Sequence, residues 1–261
     1  MALVQVNFIS KQLERTVTFN AIIPLDGLNK NYSGKPLKTL YLLHGSYGNY
    51  TDFLSGTRIQ RWAEEKNLAV IMPSGENQFY IDKPNHSENY GAFVGDELVE
   101  FTRNMFPLSH QKEDTYIAGL SMGGYGALIN GLKYHETFSH IGAFSPGLLI
   151  EEIENRTQLL TDIGLSLEYY DYVFNGLETI KNSDKDYYYL INKLVENGNE
   201  IPKIYLPIGK DDFIIELSRS FKVFLDEKGV PTTYIEDDGG HDWDFWDKYV
   251  KNFLDWLPLS E

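Results

Sequence analysis

The chain carries the sequence Gly119-Leu120-Ser121-Met122-Gly123-Gly124-Tyr125-Gly126. A short, apolar and β-prone segment precedes it at residues 114–118, and a proline-free segment of helical character follows it to Lys133. The pattern G-x-S-x-G between a strand and a helix is typical of a nucleophile elbow, a tight turn that holds a serine hydroxyl out at the edge of a sheet. A glycine-rich strand-to-helix turn of a nucleotide-binding fold is the alternative for this local pattern.

The glycines on either side of Ser121 have a steric explanation. The backbone of a serine in such a turn is strained, and the positions two before and two after it must carry no side chain that would clash with it. Gly119 and Gly123 occupy these two positions. The sequence therefore predicts that Ser121 is a nucleophile with the N-terminus of a helix beneath it.

Length and composition limit the class of protein. The 261 residues, of which 42% are hydrophobic and 23% charged, fit one globular α/β domain with room for an inserted subdomain. A net charge of −15 argues against binding of nucleic acid or of anionic membrane surfaces, because phosphate binding requires clustered Lys and Arg. We expect a protein without nucleic-acid or membrane partners.

Cysteine is absent from the sequence, which excludes disulfides, thiolate catalysis and thiolate metal sites. The first ten residues have neither a basic start nor a long apolar run, so they predict a strand rather than a signal peptide. No segment approaches the roughly 18 to 20 apolar residues that a membrane-spanning helix needs. The expected location is the cytoplasm.

Strands and helices alternate along most of the chain. The predicted strands are residues 5–9, 15–23, 39–43, 68–72, 114–118, 140–144, 203–208 and 232–236, and the predicted helices are residues 58–66, 94–106, 125–133, 216–228 and 243–257. Between about 147 and 200 the segments become short and rich in Asn, Asp, Glu and Tyr. The pattern predicts a single domain over residues 1–261, with a doubly wound, mostly parallel sheet and a small inserted cap at about 147–200.

A serine nucleophile needs a base, and the base needs a group that orients it. Of the six histidines, His241 lies on a loop directly after a predicted strand, where an α/β sheet presents its ligands. His241 is therefore the predicted base. The acid is expected from the end of the preceding strand, where Asp211 and Asp212 stand side by side and either could reach an imidazole.

Two backbone N–H groups are needed to stabilise the oxyanion that forms during acyl transfer. One is expected from Met122, the residue after the nucleophile. The other is expected from Ser46, in the glycine-containing loop His44–Asn49 that follows the strand at 39–43. His44, Gly45 and Tyr170 are further predicted to contact the substrate. The histidines and carboxylates lack the spacing of a metal-ligand set, so no metal site is predicted.

Four segments together resemble the esterase D family of α/β-hydrolases over nearly the whole chain. They are Leu42–Gly45, Gly119–Ala127, Gly209–Phe213 and Gly240–Trp243. The sequence is most similar to the bacterial tributyrin esterase branch, which is similar to S-formylglutathione hydrolases and to some feruloyl and acetyl esterases. The resemblance implies an α/β-hydrolase fold, homo-oligomers, and hydrolysis of short-chain acyl esters by Ser121, Asp212 and His241 without a cofactor. The spacing Gly209-x-x-Asp212 matches that at which related hydrolases place the acid.

One departure from the family concerns S-formylglutathione hydrolases. These enzymes carry a cysteine shortly after the oxyanion glycine, and their strand ends in Ser-Gly where this chain has His44-Gly45. The departure disfavours a glutathione thioester as substrate. Hydrolysis of short acyl esters is the favoured function, with a carbohydrate deacetylase or a feruloyl esterase as alternatives on the same residues. A non-catalytic binding protein of the same fold is the alternative from another functional class.

The tyrosines of the predicted cap, at residues 168–174 and 187–190, allow two interpretations. Aromatic rings with polar tips suit a pocket for sugars or phenolic acids. The same rings could instead pack the cap onto the sheet or form a subunit contact. The sequence favours neither interpretation.

Overall fold

A computed structural model describes residues 2–25, 34–155 and 166–259, and its centre is a sheet of eight strands. The strands of this sheet are β1 (Ala2–Ser10), β2 (Arg15–Ile23), β3 (Thr39–Leu43), β4 (Ala69–Pro73), β7 (Thr115–Leu120), β8 (His140–Phe144), β9 (Lys203–Gly209) and β10 (Thr232–Asp237). A two-residue hairpin of β5 (Asp82–Lys83) and β6 (Glu88–Asn89) lies outside it.

The order of strands in the sheet is β1-β2-β4-β3-β7-β8-β9-β10. β2 pairs antiparallel with β1 and with β4, and all other pairs are parallel. This arrangement confirms the predicted doubly wound, mostly parallel sheet of an α/β-hydrolase fold. The parallel strands end at one edge, so the loops that follow β3, β7, β9 and β10 lie close together.

Helices cover both faces of the sheet. They are α1 (Asp52–Gly56), α2 (Ile59–Glu65), α3 (Tyr90–Ala92), α4 (Leu98–Met105), α5 (Met122–Lys133), α6 (Ile150–Asn155), α7 (Leu167–Phe174), α8 (Tyr187–Asn197), α9 (Ile215–Glu227) and α10 (Trp243–Trp256). None of these helices combines the length and the apolar character that a membrane crossing demands.

The buried strands explain why the sheet needs helices on both faces. In β3, Leu40 and Leu42 pack with α2 and α10, whereas Tyr41 and Leu43 pack on the opposite face with α5. Successive side chains of a strand point to opposite faces, so a continuous apolar run buries both of them. The apolar run at 39–43 therefore becomes an interior strand beside β7.

The helix predicted at residues 94–106 differs from the observed one. Helical structure begins at α3 and continues through a π-helical stretch, Phe93–Glu97, into α4. Its early start has a non-local cause, because the Asp82 carboxylate accepts a hydrogen bond from the Ala92 N–H at 2.8 Å. A cap supplied by a residue ten positions away leaves no local signal in the sequence.

The segment between β8 and β9 contributes α6, α7 and α8, while residues 156–165 of the predicted cap lie outside the described part of the chain. Most of its tyrosines pack against other rings or form hydrogen bonds to neighbouring segments. Tyr187 and Tyr188 contact phenylalanine rings of α9, and the Tyr187 hydroxyl donates to the Leu148 carbonyl at 3.2 Å. A tyrosine of α5 also holds this segment, because the Tyr125 hydroxyl donates to the Lys185 carbonyl at 2.6 Å. These contacts favour the packing interpretation for the tyrosines of α8.

Acid is expected to destabilise the fold through His140. This side chain is buried between Tyr116 and Trp256, and burial, with smaller contributions from the Lys203 and Lys38 charges, lowers its pKa to about 4. Between pH 6.5 and about 4 the unfolded chain therefore binds a proton that the folded chain does not, so stability falls as the pH falls through that window. Reduced for residual solvent screening, the loss amounts to about 1 to 2 kcal/mol.

Urea unfolding at pH 7.0 and pH 4.5 tests this expectation. His140→Phe keeps an aromatic ring between Tyr116 and Trp256 but removes the titrating group, so the variant should lose less stability on acidification than the wild type. Equal losses in the two proteins would contradict it.

Candidate active site

Ser121 lies between β7 and α5 with φ 54° and ψ −117°. A positive φ at a non-glycine residue costs on the order of 1–3 kcal/mol and persists only where the surroundings enforce it. Here the Ser121 N–H donates to the Phe144 carbonyl at 2.9 Å, and the Ser121 carbonyl accepts from Gly147 N–H at 3.0 Å. Both partners belong to the end of β8 and the loop after it, so the neighbouring strand holds the turn in its strained form.

The glycines beside Ser121 are required by the backbone packing. A Cβ atom added to Gly119 would lie 2.3 Å from the Gly123 carbonyl oxygen. One added to Gly123 would lie 2.3 Å from the Leu43 carbonyl oxygen and 2.5 Å from that of His44. No side chain fits at these distances, because the neighbouring atoms are backbone. The elbow is thereby packed directly against the end of β3.

The loops after β9 and β10 are joined by their backbones. Gly209 packs so closely on the second loop that an added Cβ would lie 2.2 Å from the Gly239 carbonyl oxygen. That same oxygen accepts a hydrogen bond from the Asp211 N–H at 3.0 Å. This junction brings the acidic residues after β9 next to His241.

The structure brings Ser121, His241 and Asp212 into one hydrogen-bonded chain. His241 Nε2 lies 2.9 Å from Ser121 Oγ, and His241 Nδ1 lies 2.9 Å from Asp212 Oδ2. Asp212 is buried, and its other oxygen accepts from the Ile214 N–H at 3.1 Å. Asp211 is exposed, and its carboxylate does not contact the imidazole. Asp212, the aspartate that the resemblance implies as the acid, is therefore the one placed to orient His241.

Two aromatic rings contact the imidazole of His241. The ring centroid of Phe213 lies 4.8 Å from that of the imidazole. The ring centroid of Trp246 lies 4.9 Å from it, with an angle of 85° between the two ring planes. Neither side chain was predicted from the sequence as a site residue. Phe213 directly follows Asp212, so its position in the sequence was an available signal, whereas Trp246 lies within the predicted helix at 243–257 and gave no signal of its own.

His44 lies behind the site rather than in it. Its Nε2 accepts a hydrogen bond from the Gly75 N–H at 2.8 Å, and its Nδ1 lies 2.7 Å from the Gly45 carbonyl oxygen. The ring is buried, and this burial lowers the pKa of His44. With both ring nitrogens engaged and no part in the lining of the cavity, His44 has a different position from the substrate contact that the sequence predicted. The remaining histidines, His86, His110, His135 and His140, also lie outside the cavity lining.

The loop after β3 runs beside the nucleophile. A Cβ atom added to Gly45 would lie 3.5 Å from the Cβ of Ser121, so backbone passes close to the serine here. Ser46 and Met122, from which the oxyanion-binding N–H groups are expected, both line the cavity at Ser121. Met122 is the first residue of α5, where backbone N–H groups lack partners within the helix.

A cavity of about 250 Å³ opens at Ser121 and His241. Its lining consists of Gly45, Ser46, Tyr47, Asp52, Phe79, Leu120, Ser121, Met122, Gly147, Leu149, Tyr170, Phe213, Ile214, His241, Trp243 and Trp246. Gly45 and Tyr170 therefore lie where the sequence predicted substrate contacts. In the described residues no group of three or more His, Asp or Glu side chains is arranged to hold a metal ion.

The chain is similar to known proteins over nearly its whole length. The family model "Esterase" matches residues 10–255. The chain is 46% identical over 261 residues to an acetyl esterase of Caldicellulosiruptor saccharolyticus, a match that covers 98% of each chain.

Two solved structures from Staphylococcus aureus are also similar. FphF, a fluorophosphonate-binding serine hydrolase, has a TM-score of 0.87 at 29% identity, over 100% of this chain and 99% of that one. The S-formylglutathione hydrolase FrmB has a TM-score of 0.86 at 30% identity, over 99% of both chains. The fold is thus shared with serine hydrolases.

Proposed function

The chain belongs to the Esterase family, and from this premise we propose that it is a serine carboxylesterase that hydrolyses short-chain acyl esters, acetyl esters among them. The observation that carries the proposal is the hydrogen-bonded chain from Ser121 Oγ through His241 to Asp212, at the wall of the cavity. A hydroxyl in contact with an imidazole that a buried carboxylate orients is the arrangement that activates a serine.

In the proposed first step Ser121 Oγ forms a bond to the ester carbonyl carbon as His241 Nε2 takes the hydroxyl proton. The carbonyl π electrons become an oxyanion, which the N–H groups of Met122 and Ser46 stabilise. Asp212 keeps the proton of the neutral imidazole on Nδ1 and stabilises the imidazolium. When the carbon–oxygen bond to the alcohol breaks, His241 returns the proton to the leaving oxygen. Water then releases the acyl group by the same sequence of steps.

The size of the cavity supports the proposal that the acyl chain of the substrate is short. Its volume of about 250 Å³ is below the range of roughly 300 to 1,000 Å³ that drug-sized ligands occupy. Tyr170 and Leu149, contributed by the segment between β8 and β9, are buried and close one side of it. A long acyl chain would have to displace these side chains, whereas an acetyl to butyryl group would not.

A carbohydrate or phenolic ester is the second candidate, because the mouth of the cavity is aromatic. Tyr47 and Phe213 line the cavity and are 73% and 55% exposed, so their rings are available to a bound alcohol group. Exposed rings of this kind stack well on sugars and on phenolic acids. A deacetylase or feruloyl esterase would use the same Ser121, His241 and Asp212. The similarity to FrmB keeps a thioesterase as a third candidate, which the lack of cysteine disfavours.

Hydrolysis of p-nitrophenyl esters from acetate to palmitate is expected to peak between acetate and butyrate. The reason is the small volume of the cavity, and kcat/KM should fall by about tenfold or more from butyrate to octanoate. The measurement includes an acetylated sugar, methyl ferulate and S-formylglutathione, which separate the candidates for the alcohol or thiol group. A rate that rises steadily to palmitate would contradict the proposal, and so would activity that a chelator removes.

A further inference from the structure

The loop that carries the expected oxyanion donor Ser46 contains an unusual turn. The Gly48 N–H donates to the Gly45 carbonyl at 3.3 Å, so residues 45–48 form one turn. Its third residue, Tyr47, has φ 65°, a conformation that glycine or asparagine adopts at lower cost. The Tyr47 ring is 73% exposed and does not hold the backbone in this form. Other groups must therefore fix the turn.

His44 fixes one end of the turn. Because His44 Nε2 accepts the Gly75 N–H, its proton is on Nδ1, which donates to the Gly45 carbonyl. The Gly45 carbonyl and the Ser46 N–H belong to the same trans peptide, whose two polar groups point in opposite directions. Holding the carbonyl therefore sets the direction of the Ser46 N–H.

Asn77 fixes the other end. The Asn77 Oδ1 atom accepts a hydrogen bond from the Tyr47 N–H at 2.7 Å. Two further bonds join the same segments, from the Tyr80 hydroxyl to the His44 carbonyl at 3.0 Å and from the Tyr50 N–H to Ser74 Oγ at 3.1 Å. Residues 74–80 thus contact residues 44–50 at four points. With the Tyr47 N–H engaged by Asn77, the Ser46 N–H is the adjacent amide left for substrate.

Residues 74–80 are themselves strained and anchored. Glu76, Phe79 and Tyr80 have φ values of 49°, 51° and 57°, which are costly at non-glycine residues. In addition, the Tyr169 hydroxyl of α7 donates to the Asn77 carbonyl at 2.6 Å. Three of its seven residues thus have costly φ values, and both the loop and α7 hold it by hydrogen bonds. These features are typical of a support that defines a functional geometry.

We propose that residues 74–80 form a clamp that orients the Ser46 N–H toward the oxyanion, with Asn77 as its positioning residue. The proposal rests on the proposed esterase function. Asn77 acts only through the loop backbone and contacts no reacting atom. Loss of its oxygen should leave ester binding intact and weaken the interaction that forms in the transition state.

Replacement of Asn77 by alanine tests the clamp. Because the Ser46 N–H is misdirected rather than removed, kcat on p-nitrophenyl acetate should fall by about tenfold while KM stays within about twofold. Affinity for 1,1,1-trifluoroacetone should fall by the same factor as kcat. The carbonyl carbon of trifluoroacetone bonds to Ser121 Oγ, and the hydroxyl proton of Ser121 passes to His241. The carbonyl π electron pair becomes an oxyanion in the same site.

Three further variants make the result specific. Asn77→Asp keeps an acceptor oxygen and should restore most of kcat. Asn7→Ala, outside both the clamp and the loop, removes an exposed amide oxygen that accepts a hydrogen bond from the Thr18 hydroxyl, and should leave kcat unchanged. Tyr169→Phe loosens the clamp from the α7 side and should lower kcat in the same direction, by about threefold.

The outcomes separate this proposal from the proposed function. Wild-type activity that Ser121→Ala abolishes, together with unchanged kcat and trifluoroacetone affinity in Asn77→Ala and Tyr169→Phe, would overturn the clamp alone. A raised KM with unchanged kcat would also overturn it. A wild type inactive on every ester would instead overturn the proposed function.

Discussion

Ser121→Ala is expected to lower kcat on short-chain esters by about 10⁴-fold or more, because it removes the hydroxyl that His241 Nε2 contacts and that forms the acyl-enzyme bond. Asp212→Asn is expected to lower kcat by about 10⁴-fold as well. An asparagine in this position can present its N–H₂ group to His241 Nδ1, which favours the imidazole form with its proton on Nε2. That form cannot accept the Ser121 proton.

Asp211→Asn is the matched control for the acid. Asp211 is the adjacent residue in the same loop and undergoes the same chemical change, but its side chain is exposed and does not contact His241. Its kcat should remain near that of the wild type. Steady-state kinetics of the three variants, with circular dichroism to verify folding, distinguish the roles. Equal losses in Asp211→Asn and Asp212→Asn, or full activity in Ser121→Ala, would refute the assignment of this triad.

Gly123→Ala is expected to destabilise the protein by about 3 kcal/mol or more, or to prevent folding. Helix propensity alone favours alanine over glycine by about 1 kcal/mol, so it predicts that this substitution stabilises the protein. The clash decides the outcome, because the new Cβ would lie 2.3 Å from one backbone carbonyl oxygen and 2.5 Å from another. Neither oxygen can move without shifting the end of β3 or the elbow itself.

Gly147→Ala is the matched control for Gly123→Ala. This glycine also lies next to the elbow, but the atom nearest to an added Cβ is the Ser121 carbonyl oxygen at 3.7 Å, an ordinary contact. Urea unfolding of both variants should show a large loss of stability for Gly123→Ala and at most a small change for Gly147→Ala. A Gly123→Ala variant as stable as the wild type would show that the elbow can relax, contrary to the packing described above.

The choice between Asp211 and Asp212 shows what the local pattern alone leaves open, because Asp212 was predicted only from a spacing shared with related hydrolases. Both residues follow β9, and a shift of one residue in a loop is not encoded by composition or periodicity. The choice depends on the contact of Gly209 with Gly239, which joins this loop to the one after β10 and leaves Asp212 buried and Asp211 exposed. Backbone contact between distant loops decides which carboxylate faces the imidazole.

The role of the tyrosines between β8 and β9 was equally open. Tyr170 lines the cavity, whereas Tyr187 and Tyr188 pack on α9. All three lie in helices, where residues that are close in sequence point in different directions. Identical side chains therefore end up in different surroundings. The clamp at residues 74–80 had no sequence signal at all, because positive φ values at Glu76, Phe79 and Tyr80 break the usual preference for glycine.

The sequence by itself determined the sheet, the elbow and the order in which Ser121, the acid and His241 occur. These features depend on local patterns: apolar runs that must be buried on two faces, and glycines where no Cβ fits. The resemblance to related hydrolases indicated Asp212 as the acid, and the tertiary structure shows the contact that orients His241. Only the tertiary structure decided that His44 supports the loop instead of contacting substrate, and which aromatic rings enclose the cavity. These outcomes depend on contacts between residues far apart in the chain, whose distances arise from the packing of the sheet and its loops.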